Sequence, residues 1–121
     1  MYVSDLVSGT GRLYALAMIG YLKGKVADKN PEGALIDVGG VGYDVFLPLS
    51  TLAGLPGKGD DVALYIHTHV REDMLKLFGF EKKQDLTAFR TMLKVNGVGP
   101  KLALAIIGAL SGNQLAKDFS R

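Results

Sequence analysis

The chain has 121 residues, of which 48% are hydrophobic and 21% are charged, a composition typical of a folded globular protein and not of a disordered one. The formal net charge is only +2, so any surface that binds a polyanion must come from a local concentration of basic residues. There is no cysteine, which excludes disulfides and thiolate metal sites, and the lack of a signal sequence or a membrane-length apolar run predicts a cytoplasmic protein with no membrane partner.

Residues 1–17 are expected to be an N-terminal appendage, because a more regular pattern begins only at Met18. From there to Phe80, short segments rich in β-branched and aromatic residues alternate with Gly, Pro, Asn and Asp, as strands alternate with turns. Five short strands with glycine-rich bends favour a partly open barrel of the OB type over residues 18–80. The predicted strands cover residues 19–27, 33–38, 42–47, 62–70 and 74–80, with a single helical turn within residues 50–55.

After the last strand the spacing of apolar residues becomes helical. It predicts one helix that ends near Val95 and a second that begins near Gly99. Ser111 followed by Gln114 matches a capping box and predicts a third helix. The expected fold class is mainly β plus α, a five-stranded OB-fold barrel followed by a partial helical domain over residues 81–121. The apolar residues at helical spacing are Leu86, Phe89, Met92 and Leu93 in the first helix and Leu102, Ile106 and Leu110 in the second.

The connection between the first two helices, Asn96-Gly97-Val98-Gly99-Pro100-Lys101, is the strongest functional pattern. N–H groups at the start of a helix have no intrahelical partners, the helix dipole adds partial positive charge, and glycine leaves room for an anion to approach. Residues 82–101 also contain five basic residues against one acidic residue. The pattern predicts a helix-hairpin-helix that binds a nucleic-acid phosphate through Lys94, Asn96, Gly97, Val98, Gly99 and Lys101.

Two other phosphate-binding motifs do not fit this glycine turn. A P-loop requires Ser or Thr after its lysine, and a dinucleotide-binding motif requires a third glycine, but Leu102 occupies both of those positions. Each motif also needs a preceding strand, where this chain has a predicted helix. An ordinary αα-hairpin with a glycine turn remains as the structural alternative.

Arg71-Glu72-Asp73 lies between the two strongest apolar strands and is predicted to form a hairpin tip. Two adjacent carboxylates at a turn are most often only solubilising. If DNA lies beneath the tip, the two carboxylates would repel phosphates and prevent the DNA strands from lying there. They could also hold Mg²⁺, but with no third ligand the pattern is weak evidence for a metal nuclease.

His67 and His69 alternate along one predicted strand and therefore face the same side. Such a pair can bind zinc, but no third ligand is near in the sequence, so a surface or interface pair is favoured and no metal site is predicted. The serines and threonines show no local catalytic motif. The sequence therefore predicts no catalytic residue and no cofactor.

Several segments, taken together in order and spacing, resemble the RuvA family of bacterial Holliday-junction-binding proteins. Each segment alone is weak, whereas the combination is highly specific and extends from Met18 to about the end of the chain. The segments are MIGYLKG at 18–24, DVGGVGY at 37–43, VRED at 70–73, LFGF at 77–80 and NGVGPKLA at 96–103.

The resemblance implies a barrel that assembles into a flat homotetramer on which a four-way DNA junction is spread open. It implies that Glu72 and Asp73 are an acidic pin near the junction centre, that Arg71 contacts the DNA backbone, and that the hairpin binds duplex-arm phosphates without reading sequence. Proteins of this kind support DNA recombination and repair as non-catalytic subunits. Their partners are a RuvB-type hexameric ATPase, which drives branch migration, and a RuvC-type resolvase.

Two features depart from the family pattern. Residues 1–17 lie outside it, and the second helix-hairpin-helix and the C-terminal domain that contacts the ATPase are missing after Arg121. The expectation is therefore a truncated chain with weakened junction binding and without the motor contact. The alternatives are a tetramerising OB module with little DNA affinity and, less favoured, a Mg²⁺-dependent nuclease that uses Glu72 and Asp73.

Overall fold

The computed structural model describes the backbone of residues 19–119 and the surroundings of side chains up to Leu110. The predicted appendage at residues 1–17 lies outside the described residues. The strands in this part of the chain are β1 (Tyr21–Asn30), β2 (Gly33–Val38), β3 (Val41–Phe46), β4 (Asp61–Arg71) and β5 (Met74–Phe80), and the helices are α1 (Leu49–Ala53), α2 (Lys83–Met92) and α3 (Pro100–Phe119).

The five strands form a closed barrel in the order β1-β2-β3-β5-β4, with β4 pairing back onto β1. All neighbours are antiparallel except β3 and β5, which run parallel and join through Val45 opposite Leu77 and Phe46 opposite Phe78. The prediction of a five-stranded OB-type barrel followed by helices is confirmed. The barrel is closed and not partly open, because the short parallel pairing of β3 with β5 completes it.

The interior of the barrel is filled by apolar side chains from all five strands. Successive residues of a strand point to opposite faces, so every second residue enters the barrel. On β4, Leu64 and Ile66 are fully buried in the barrel, whereas Ala63, which points to the opposite face, is exposed. Each such buried side chain stabilises the fold by about 1.5–3 kcal/mol relative to exposure. The buried strand residues of this core are Leu22, Val26, Ala34, Ile36, Val45, Leu64, Ile66 and Leu77.

Strand boundaries follow the sequence where turn residues mark them. β2 and β5 have the predicted limits, and β3 and β4 differ by one residue at each end. The sequence predicts the first strand over residues 19–27, but β1 begins at Tyr21 and continues to Asn30. The reason is a β-bulge, because the pairing register with β2 shifts between Val26 and Asp28. A bulge interrupts the alternation by which a strand is recognised in a sequence.

A second apolar cluster joins the barrel to the helices. Phe78 and Phe80 of β5 lie against α2 and α3, and both are almost fully buried. The cluster therefore fixes the position of the helices against the outer surface of β5. Its other buried members are Leu86 and Phe89 of α2 and Ala103 and Ile107 of α3.

The prediction of a third helix beginning at Ser111 is wrong, because α3 continues without a break to Phe119. A capping box needs a non-helical backbone at its serine, and the backbone here is helical through Ser111. None of these helices, within the described residues, is both long and apolar enough to cross a membrane.

The buried face of α3 also differs from the one that the predicted spacing favours. Ala103 and Ile107 are buried, whereas Leu102 and Leu110 are about half exposed, at 50% and 55%. Apart from Lys101, residues 100–110 are all apolar or glycine, so the periodicity does not select a face. Gly108 also favours the observed buried face, because the helix approaches α1 closely there: a Cβ at Gly108 would lie 3.2 Å from the backbone nitrogen of Leu49.

Candidate nucleic-acid interface

The connection between α2 and α3 begins with a tightened helix end. The sequence predicts a helix that reaches Val95, but α2 ends at Met92. The N–H of Lys94 donates to the carbonyl oxygen of Thr91 at 3.1 Å, and the N–H of Val95 donates to Met92 at 3.0 Å. These are i to i+3 bonds, which narrow the last turn and end the α-helix.

The chain then reverses in a tight turn from Val95 to Val98. The N–H of Val98 donates to the carbonyl oxygen of Val95 at 3.1 Å, which closes a four-residue turn with Asn96 and Gly97 at its centre. Gly97 has a φ of +84°, the left-handed conformation that a type II turn requires at its third position. The turn itself therefore requires glycine at this position.

The start of α3 leaves backbone donors open to solvent. Pro100 is the first helical residue, and the first backbone bond of the helix runs from the N–H of Ala103 to the carbonyl oxygen of Gly99 at 3.0 Å. The N–H groups of Lys101 and Leu102 precede that bond, and the residues one turn before them lie outside the helix, so these two donors have no intrahelical partner. Both residues are exposed, so an anion can reach these donors at the positive end of the helix dipole.

The backbone conformation requires glycine at position 97 but not at position 99. The backbone of Gly99 is not in the left-handed region, and a Cβ added there would meet no atom within 4 Å. Gly99 also occupies the N-cap position, where Ser, Thr, Asp or Asn would bond the free N–H groups with a side-chain oxygen. Glycine at this position leaves the donors unoccupied and the approach to them clear.

Lys94 and Lys101 lie on either side of this turn, and both are exposed. Over the described residues, the ion pairs shorter than 4.0 Å are Lys25 with Asp61 and Lys58 with Asp28, so neither hairpin lysine is neutralised there. The geometry thus combines free N–H donors, a helix dipole and two cations, and each of these features favours binding of a phosphate group.

The hairpin is held against the barrel by aromatic packing around Phe89. The ring of Phe89 lies 5.3 Å from that of Phe78 and 5.0 Å from that of Phe80, measured between centroids. Val98 of the turn is partly buried against the same cluster. Since the turn and both helices share one core with β5, the start of α3 has a fixed place beside the barrel.

Glu72 and Asp73 form the two-residue connection between β4 and β5, because Arg71 and Met74 are the last paired residues. Both carboxylates are exposed, so the tip presents two negative charges to solvent. The structure therefore places the predicted site residues in two groups: Lys94, Asn96, Gly97, Val98, Gly99 and Lys101 on the hairpin, and Arg71, Glu72 and Asp73 on the barrel.

The two histidines each accept a hydrogen bond from an arginine. Arg90 donates from Nε to Nδ1 of His67 at 3.2 Å, and Arg71 donates from Nε to Nε2 of His69 at 3.1 Å. Arginine has no acceptor and keeps its proton, so both histidines are neutral in this arrangement. Burial lowers the pKa of His67 to about 4, assisted by the charge of Arg90 and then by His69. Burial also lowers the pKa of His69, followed by the charges of Arg71 and Lys76.

This arrangement differs from that of a metal site. The two rings lie 5.8 Å apart, and within the described residues there is no group of three or more His, Cys, Asp or Glu side chains that could hold a metal ion. The nitrogen atoms that face the arginines are occupied as acceptors. The two histidines therefore serve as hydrogen-bond acceptors for Arg90 and Arg71.

Sequence reasoning missed two contacts of this surface. In the sequence, Arg90 is only one of the basic residues between 82 and 101, whereas in the structure it donates from Nη2 to the carbonyl oxygen of Ile66 at 3.4 Å and so joins α2 to β4. Lys76 belongs to none of the sequence motifs, although it lies directly opposite His69 across β4 and β5. The second contact had a signal, because a two-residue turn at Glu72 and Asp73 fixes this register.

Comparison with known proteins identifies the family. Residues 18–79, just over half of the chain, match the model of the RuvA N terminal domain. Three relatives, each named Holliday junction branch migration complex subunit RuvA, come from Actinobacillus pleuropneumoniae serotype 5b, Pasteurella multocida and Bdellovibrio bacteriovorus. The first is 52% identical over 99 residues, which are 82% of this chain and 49% of that protein.

The other two relatives match to a similar extent. The Pasteurella protein is 49% identical over 104 residues, 86% of this chain and 51% of its own length, and the Bdellovibrio protein is 52% identical over 101 residues, 83% and 50%. The chain thus spans about half the length of the curated relatives it matches. On the match of residues 18–79, the chain belongs to the RuvA family.

Proposed function

We propose that this chain binds four-way DNA junctions by their structure and without reading base sequence, as a non-catalytic subunit of a branch migration complex. The relatives are named as subunits of the Holliday junction branch migration complex. The chain spans half of their length, so this activity is proposed here from the residues that it contains.

The single observation that carries the proposal is the open N-terminus of α3. The free N–H groups of Lys101 and Leu102, the exposed Lys94 and the uncovered N-cap at Gly99 form a site for one phosphate group. Contacts to phosphate oxygens carry no sequence information, so a site made of backbone donors would hold any sequence equally.

The acidic tip supplies the second part of the proposal, which is the preference for a junction. Glu72 and Asp73 are exposed at the end of the β4–β5 hairpin, where two carboxylates repel a continuous duplex. In a four-way junction the strands diverge at the centre, and the tip would occupy the space that they leave. The same residues would thereby keep the strands separated.

The proposal includes assembly and partners. A homotetramer would place four acidic tips around the centre of one junction and one hairpin on each arm. A RuvB-type ATPase would supply the motor, and a RuvC-type resolvase would act on the same junction in the cytoplasm. The name of the relatives, which specifies a branch migration complex, supports an assembly with a motor.

A competition experiment tests the proposed function. Labelled four-way junction is titrated with the protein in gel-shift assays, between about 50 and 200 mM salt, and the complex is competed with unlabelled junction or with linear duplex of equal length. The proposal predicts that junction competes much better than duplex. It also predicts an affinity that falls steeply with salt, with a logarithmic slope of about −0.9 for each phosphate contact. Equal competition by duplex would refute junction specificity.

Light scattering of the same samples tests assembly. The proposal predicts a tetramer that remains intact when junction is added. A tetramer that binds no junction even at low salt would favour the alternative of an assembly module with little DNA affinity. Incubating labelled junction with the protein and Mg²⁺ should leave every strand intact, and cleavage that disappears with Glu72→Gln would establish a nuclease instead.

A further inference from the structure

The outer surface of β4 and β5 carries a basic cluster that lies between α2 and the acidic tip. Its members are His69 and Arg71 on β4 and Lys76 on β5, hereafter the strand cluster. His69 and Lys76 are directly opposed across the two strands, and Arg71 is the last paired residue of β4. On β4 the alternate residues Ile66 and Thr68 are buried in the barrel, so the strand cluster faces outward.

The contacts of the strand cluster leave its positive charge without a partner. The ion pairs of the described residues lie elsewhere, at Lys25 with Asp61 and Lys58 with Asp28. The ammonium of Lys76 lies 5.4 Å from the centre of the Phe46 ring, a contact that orients the charge and does not neutralise it. Two cations and an imidazole therefore lie together on an accessible surface.

The charged groups that face His69 on each packed element are cations, and the adjacent His67 is neutral. Lys76 comes from β5, Arg71 and His67 come from β4, and Arg90 of α2 reaches the strand through His67. The ring of Phe78 meets that of His69 edge to face at 6.2 Å. The carboxylates of the β4–β5 connection are the acidic groups nearest in sequence, next to Arg71 at the exposed tip.

The bond between Arg71 and His69 restrains both groups. The guanidinium Nε donates to Nε2 of His69 at 3.1 Å, so that nitrogen must be unprotonated. If His69 takes a proton from solvent on Nε2, it can no longer accept this bond. Arg71 is then released, and the imidazolium gains a donor in the same place. Both changes create donors for an anion.

We propose that the strand cluster is a second phosphate-binding site for DNA, separate from the hairpin, at which binding of a backbone phosphate places a proton on Nε2 of His69 and releases Arg71 to the phosphate. The inference rests on the proposed function, since it takes DNA as the ligand. It adds His69 and Lys76 to the DNA contacts and makes the affinity depend on pH.

The direction of the pH dependence follows from linkage. In the free protein, burial and the neighbouring cations lower the pKa of His69, and a bound phosphate raises it again. A group that binds its proton more tightly in the complex makes the complex stronger as the pH falls. Each unit by which DNA raises that pKa makes binding about tenfold tighter below both pKa values than above both.

The first experiment measures the proton itself. The chain has only two histidines, so His69→Gln assigns the imidazole NMR signals without ambiguity. The full chain is titrated from about pH 5 to pH 8 with and without four-way junction. We expect DNA to raise the pKa of His69 by at least about one unit, while His67 keeps a low value. An unchanged pKa of His69 in a saturated complex would overturn the inference.

The second experiment measures junction affinity against pH for the wild-type chain, His69→Gln, Lys76→Gln and the control Lys58→Gln. Lys58 lies outside the strand cluster, where it pairs with Asp28. Because both variants replace a lysine by glutamine, Lys58→Gln and Lys76→Gln change the net charge by the same amount. We expect His69→Gln to flatten the pH profile and Lys76→Gln to reduce the salt slope by about one, with Lys58→Gln unaffected. Junction binding by the wild-type chain with equal pH profiles in all variants would overturn only this inference. No binding by the wild-type chain would overturn the proposed function and this inference together.

Discussion

The Nε atom of Arg90 on α2 lies 3.2 Å from Nδ1 of His67 on β4, a contact that joins the helical hairpin to the barrel. The same guanidinium donates from Nη2 to the carbonyl oxygen of Ile66 at 3.4 Å. The ring of His67 also packs edge to face on Phe89 at 5.4 Å. Because arginine can only donate, the bond to His67 exists only while the imidazole is neutral.

The stability of the fold should therefore depend on pH through His67. Its pKa is lowered from 6.5 to about 4, so between these values the unfolded chain binds more protons than the folded chain. The contribution of His67 to the free energy of unfolding is fully present above pH 6.5 and is lost as the pH falls towards 4. His69, with a lowered pKa, acts in the same direction.

Thermal unfolding at neutral pH and at about pH 4.5 checks this dependence, with His67→Gln as the matched control. Glutamine keeps an oxygen acceptor for Arg90 and does not titrate. We expect the wild-type Tm to fall by several degrees more than that of His67→Gln. Parallel profiles for the two proteins would mean that His67 does not titrate abnormally in the folded state.

Phe89→Ala should separate the helices from the barrel. The side chain is fully buried and lies among Phe78, Phe80 and His67. Its removal costs about 3–5 kcal/mol, a large part of the about 5–15 kcal/mol by which a domain is stable. Urea unfolding measures the loss, and hydrogen exchange should show α2 and α3 opening before the barrel. A cost near that of Val95→Ala, at an exposed position, would contradict the packing described here.

Gly97→Ala should destabilise the turn. At a φ of +84°, a Cβ costs about 1–2 kcal/mol because it approaches the following carbonyl oxygen, although no other atom lies within 4 Å of it. Urea unfolding should show this loss, and phosphate binding should weaken because the start of α3 is displaced. If Gly97→Ala is as stable as the wild-type chain, the turn has another conformation in solution.

Neutralising the acidic tip should leave DNA affinity unchanged or increase it. In Glu72→Gln combined with Asp73→Asn, two exposed charges that repel phosphates are lost, whereas no contact of the described core is altered. Gel-shift titration should give equal or tighter binding to junction and a gain on linear duplex, so that the preference for junction decreases. A large loss of affinity for both DNAs would assign these residues to folding or to metal binding.

The sequence predicted the fold well where local chemistry decides it. Turn residues define β2 and β5, and Gly97 follows from the turn type. The end of β1 was missed because its bulge depends on pairing with β2. The buried face of α3 was missed because Leu102 and Ile107 are equally apolar, and only contact with the barrel and α1 selects between them.

In the candidate site, too, local patterns could be predicted from the sequence, and contacts between distant residues could not. The hairpin donors and the acidic tip each lie within a few consecutive residues, so their patterns are visible in the sequence. The bond from Arg90 to His67 joins residues 23 positions apart and depends on the angle at which α2 crosses β4. No local pattern specifies that angle, and so the neutral state of His67 could be recognised only in the folded chain.

The most direct test of the central claim is the junction affinity of Gly99→Ser. The space around a Cβ at this position is empty, and serine is a better N-cap than glycine, so the free energy of unfolding should stay equal or rise by a few tenths of a kcal/mol. The serine oxygen would bond the N–H groups that the phosphate is proposed to use. We predict that junction affinity falls by about tenfold, equivalent to about 1.4 kcal/mol, in a protein that is at least as stable. Unchanged affinity across the whole salt range would contradict a phosphate site at the start of α3.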